Sequence, residues 1–146
     1  MGARKGQQEI PEFRLVVSPA VNERTGKPTT LVVLQTTKSF STFRYALAVD
    51  DRVADGTLRL KVLGLRTPSL DLPATGPAEF RKEYAELAGD VTFDVEGLDG
   101  SHSSVVTHIN PGRVTLTSGV RGRPIEVDIP SANRSQNGTP DDPRPL

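Results

Sequence analysis

The feature that most constrains this chain is a two-residue rhythm: short runs in which apolar and polar side chains alternate, punctuated by Gly, Pro, Asp or Asn. Side chains of an extended strand point to opposite faces in turn, so alternation sets every second residue against a core. Residues 12–18 place Phe13, Leu15 and Val17 against Arg14, Val16 and Ser18. Residues 42–50 line up Phe43, Tyr45, Leu47 and Val49, and residues 57–65 set Leu58, Leu60 and Val62 against Arg59, Lys61 and Leu63. Ala54-Asp55-Gly56 is the turn signal between these two, at the end of a loop read as 51–56. Residues 29–37 hold the longest apolar run, Leu31 through Leu34, and read as a strand covered on both faces. Four more strands are read over 90–96, 103–109, 113–118 and 124–129. Gly97-Leu98-Asp99-Gly100, Asn110-Pro111-Gly112 and the stretch 119–122 separate them.

One segment fits two periods. Over 78–87, Phe80, Tyr84 and Leu87 fall at helical spacing, with Thr75 as a cap and Gly89 as a stop. The same residues also alternate, with Phe80, Lys82, Tyr84 and Glu86 opposed to Arg81, Glu83, Ala85 and Leu87. A helix of about ten residues is marginal without packing, and the neighbours are strands, so a strand is preferred and a short helix at 78–87 is the alternative. Residues 66–77 contain three prolines and read as an irregular crossing between sheets. The ends differ in composition. Residues 1–10 are polar, and 131–146 carry three prolines with almost no apolar side chain, so both are expected to be disordered tails around one domain over 11–130.

The stretch Leu87-Ala88-Gly89-Asp90-Val91-Thr92-Phe93-Asp94-Val95, followed by a polar turn and Ser104 through Ile109, resembles the late strands of immunoglobulin-like and fibronectin-III-like modules. In those a turn with Leu and Gly leads into a strand whose alternate residues enter the core. The resemblance covers roughly 25 residues, and the Cys and Trp markers of antibody domains are absent. It implies an all-β, antiparallel two-sheet sandwich, immunoglobulin-like, of about seven to nine strands. It also implies an adhesive, spacer or ligand-binding role, in modules that are often exported.

Charge and chemistry narrow the function further. Eighteen basic residues balance eighteen acidic ones, so no global field draws in nucleic acid or anionic lipid. Without cysteine there are no disulfides, thiolate nucleophiles or thiolate metal sites. No apolar run approaches the roughly 18 residues of a membrane span, so no membrane insertion is expected. Arg4 and Lys5 precede no apolar stretch, so no intact signal peptide is expected, and export through a signal outside this sequence stays open. Gly2 fails the myristoylation pattern at Gly6.

His102 and His108 are the only histidines. The run Asp99-Gly-Ser-His-Ser-Ser104 gathers triad residue types, but a triad converges in space from different elements, and this stretch reads as a polar turn. Six residues of strand separate the histidines by about 20 Å, too far to share an ion. Asp50, Asp51, Asp55, Asp90 and Asp94 suggest calcium, yet a calcium loop starting at Asp51 would put Val53 and Val62 where oxygen ligands belong. Arg121-Gly122-Arg123-Pro124 resembles the AT-hook core that enters A·T-rich minor grooves, but acidic alternation follows it and basic flanks are missing. Asn133 and Asn137 head glycosylation sequons.

The function expected is therefore non-catalytic binding, adhesion or structure, without cofactor, toward a protein or carbohydrate partner. The candidate contact surface is Leu70 and Leu72 in the proline-rich crossing together with Arg121 and Arg123. A small carboxylate-dependent hydrolase or carbohydrate-active protein using Asp or Glu pairs such as Asp90 and Asp94 is one alternative, and A·T-rich DNA contact through Arg121-Gly122-Arg123-Pro124 is the other. Homo-oligomerisation through a sheet edge is also open, with Arg59 and Lys61 as candidate edge protectors.

Overall fold

A computed structural model of the chain describes residues 11–40, 45–66 and 76–130. Where they are described, the alternating runs form strands, and no helix occurs among the described residues. In order these are β1 (Phe13–Val21), β2 (Pro28–Phe40), β3 (Ala46–Ala54), β4 (Thr57–Arg66), β5 (Gly76–Tyr84), β6 (Gly89–Glu96), β7 (His102–Asn110), β8 (Arg113–Leu116), β9 (Arg121–Gly122) and β10 (Glu126–Asp128). Of residues 78–87, which fit either period, 78–84 are strand and 85–87 are not: β5 pairs with β2, which supplies the packing that a short helix would have lacked.

In place of two separate antiparallel sheets, hydrogen bonding traces one mixed sheet in the order β10-β1-β2-β5-β3-β4-β6-β7-β8, with β9 also on β7. Three pairings are parallel: β1 with β10, β3 with β5, and β4 with β6. β8 comes alongside β1 without pairing to it, so the sheet curls into a half-barrel over one core. Alternation dictates which face a residue takes, but not which distant strand lies beside it, and parallel neighbours always come from separate parts of the chain.

The inner face is apolar as the rhythm requires. Leu15, Val17, Val32, Leu34, Leu58, Leu60, Val91, Phe93 and Val105 are buried in one cluster, each fully buried Leu or Phe contributing about 1.5–3 kcal/mol. β2 lies between β1 and β5, and its Val33 is buried outside that cluster, on the opposite face, in register with Val16 and Arg81. Leu31 on that outer face is only partly buried, so the run is buried on its core side and only in part on the other, short of the cover on both faces that its sequence suggests.

The β3–β4 hairpin departs from the expected six-residue loop. β3 continues to Ala54 and pairs with Thr57, leaving only Asp55 and Gly56, both with positive φ (50° and 74°). That is the two-residue turn whose twist suits a hairpin. Farther along, the register shifts between Ala48 and Val49: Ala48 faces Gly64 while Val49 faces Val62, so Leu63 has no opposite number. This bulge resets the phase of β4. Strict alternation would send Leu65 outward with Arg59, Lys61 and Leu63; the bulge places it opposite the buried Leu47 instead.

Candidate functional site

The phase change at the bulge opens a cleft at one end of the half-barrel. Phe13 at the start of β1, Leu47 of β3, Val62 and Leu65 of β4, and Leu98 from the β6–β7 turn line it, with Thr36, Thr37 and Arg123 at its polar side. Its volume is about 520 Å³, within the range of small-molecule and side-chain pockets. Leu65 and Leu98 are 47% and 65% exposed although they flank buried Phe13, Leu47 and Val62.

The hydroxyls of Thr36 and Thr37 and the Arg123 guanidinium in this lining are engaged within the protein. Thr37 Oγ1 donates to the Pro11 carbonyl at 2.7 Å, and Thr36 Oγ1 donates to the Lys38 carbonyl at 2.8 Å while accepting from the Ala78 amide at 2.9 Å. Arg123 Nη1 donates to Asp99 Oδ2 at 2.7 Å and to Ser101 Oγ at 3.3 Å. Asp99 in turn is held down to about 2, first by the Ser101 hydroxyl and backbone amide and then by Arg123. What the cleft offers a ligand is therefore apolar surface and shape, with the charged Glu12 and Lys38 also in its lining.

Of the expected contact residues, Leu70 and Leu72 lie outside the described residues. Arg121 and Arg123 are placed by β9, where Ser103 pairs with Gly122 and Ser104 with Arg121. Gly122 is required there, because its φ is +83° and a Cβ would collide with the His102 carbonyl, which accepts from the Arg123 amide at 2.9 Å. Arg121 is exposed on the sheet, whereas Arg123 turns to Asp99 at the cleft. The two arginines thus have different surroundings, one on a paired strand and one in an ion pair, unlike an extended arm that inserts both into a groove.

The other candidates spread over the outer face of β6 and β7. His108 Nδ1 is 2.8 Å from Asp90 Oδ1, directly across the ladder. His102 Nδ1 lies 3.1 Å from Asp94 Oδ1, with Glu96 opposite it and Arg59 Nε 3.4 Å from Asp94 Oδ2. Asp90 and Asp94 stand four residues apart on one strand, about 13 Å, beyond the spacing of a glycosidase carboxylate pair. Asp99, Ser101 and His102 do not converge as a triad: Asp99 bonds Ser101 and Arg123, while His102 turns to Asp94. Among the described residues no group of three or more His, Asp or Glu is arranged to hold a metal ion, and no helix is long and apolar enough to cross a membrane.

The cleft was not legible as a site. Phe13, Leu47 and Val62 read as core, Leu98 as a turn residue and Leu65 as an outer position, and no local motif joins them. Comparison of the chain with protein-family models, curated proteins and solved structures found no match.

Proposed function

We propose that this chain is a non-catalytic binding module that receives an apolar group of a protein partner in the cleft at the open end of the half-barrel. One observation carries the reading: Leu65 and Leu98, 47% and 65% exposed, flank a concave apolar surface whose hydroxyls are already hydrogen-bonded internally. Exposed apolar surface that is concave and rimmed by polar residues is characteristic of interaction sites. A carbohydrate partner is less well served, since among the described residues of the lining Phe13 is the one aromatic and it is buried.

The test is amide chemical-shift mapping with a panel of peptides bearing Leu, Phe or Trp anchors. Binding peptides are expected to shift resonances around Phe13, Leu47, Val62, Leu65 and Leu98, and Leu98→Asp is expected to weaken them at least tenfold. Shifts scattered over the β6–β7 outer face, or unchanged affinity in folded Leu98→Asp, would refute the assignment.

A further inference from the structure

One stretch of β5 is an open edge. Its far side pairs with β2 throughout, whereas its near side meets β3 only where Ala46 faces Glu79. From residue 80 to residue 84 that side has no ladder partner among the described residues. Unpaired strand edges are templates for pairing with another chain.

The inner row of β5 is Ala78, Phe80, Lys82 and Tyr84, since Phe80 lies opposite the buried Leu34 and Lys82 opposite the buried Val32. Lys82 therefore stands in phase with an apolar row, with its side chain 51% exposed at the strand edge. Its Nζ lies 2.9 Å from Asp51 Oδ2 and 5.1 Å from the centre of the Tyr84 ring. The Tyr84 hydroxyl donates to the same carboxylate oxygen at 2.7 Å. The three side chains join β3 to β5 across the length where backbone bonding has stopped.

The edge is also nearly self-complementary. Antiparallel pairing of two copies about a two-fold axis at position 82 sets Arg81 opposite Glu83 of a second copy and Phe80 opposite Tyr84 of a second copy, both favourable cross-strand pairs. The register spans residues 80–84 and so matches the free length. Only Lys82 opposes it, by meeting its own equivalent, and like charges directly opposite are destabilising.

We propose that Lys82, anchored by Asp51 and Tyr84, is a gatekeeper that keeps the 80–84 edge of β5 from pairing with the same edge of a second copy. Arg59 and Lys61, the protectors expected from sequence, do not serve this role, because β4 lies inside the sheet between β3 and β6.

Sedimentation velocity on the full chain tests this. The unsubstituted protein is expected to be monomeric. Lys82→Met, which keeps the stem and removes the charge, should raise the self-association constant tenfold or more and add hydrogen-exchange protection at residues 80–84. Adding Arg81→Glu, which sets an acid opposite Glu83 of a second copy, should restore the monomer. Lys82→Gln carries the same test if circular dichroism shows Lys82→Met to be unfolded. Folded Lys82 variants that stay monomeric, new protection confined to β8 or β10, or an unsubstituted chain already paired through residues 80–84 would each overturn the proposal.

Discussion

Replacing Gly122 by alanine separates two costs that glycine substitutions usually mix. At φ +83° a side chain is strained wherever it stands, at about 1–2 kcal/mol for left-handed backbone. The added Cβ would also meet the His102 carbonyl, a backbone atom that moves only if β7 moves with it. Such displacement adds about 1–3 kcal/mol, so Gly122→Ala should cost about 2–5 kcal/mol in all, the sum of the two ranges. Gly112 is the control: its φ is +75°, nothing lies within 4 Å of a Cβ there, and alanine should cost only the first part. Urea unfolding followed by far-ultraviolet circular dichroism, with slopes checked for equality, measures both. If the two variants agree within about 0.5 kcal/mol, the close approach of β9 to β7 is not what requires glycine, and the account of how Arg123 is aimed at Asp99 fails with it.

Two further outcomes follow from the ionisable groups. Ser101→Ala should raise the Asp99 pKa from about 2 toward its ordinary 3.8, by more than Arg123→Met does; a carbon-13 titration in which Arg123→Met moves it further would show that the ion pair, not the hydroxyl, sets the value. At Asp51 burial pushes the carboxyl pKa up, but the Tyr84 hydroxyl and Lys82 more than offset this and hold it below 3.8. A depressed carboxylate contributes stability that is present above its unfolded pKa and is lost as pH falls through the folded value. Tyr84→Phe removes a buried donor to a charged acceptor, so it should cost about 1.5–3 kcal/mol at neutral pH and flatten the loss of stability below about pH 4. An acid-stability profile parallel to that of the unsubstituted protein would count against the Asp51–Tyr84 link.

The strands were legible because period two is a local property, visible in Phe13, Leu15 and Val17 or in Val91, Phe93 and Val95 without reference to any partner. Residues 51–54 read as loop beside the Ala54-Asp55-Gly56 turn signal. The two-residue Asp55-Gly56 turn lets them pair instead. Partnership between distant strands has no local signature, so the parallel β1–β10 and β4–β6 pairs and the single mixed sheet could not be read. The bulge at Leu63 was equally silent, and with it the inward turn of Leu65 that forms the cleft. Lys82 was the exception, for its phase with Phe80 and Tyr84 stood in the sequence, and what was missing was the knowledge that β5 has an unpaired edge.

The parallel pairing of β1 with β10 has a mechanical consequence. Tension applied through the segments before Pro11 and after Pro130 would pull β1 by its start and β10 by its end, in opposite directions along neighbouring strands. The three register pairs from Arg14–Glu126 to Val16–Asp128, and the Arg14–Asp128 ion pair at 2.9 Å, would then be loaded together in shear rather than unzipped one at a time. Resistance of the whole half-barrel to stretching would rest first on this short clasp.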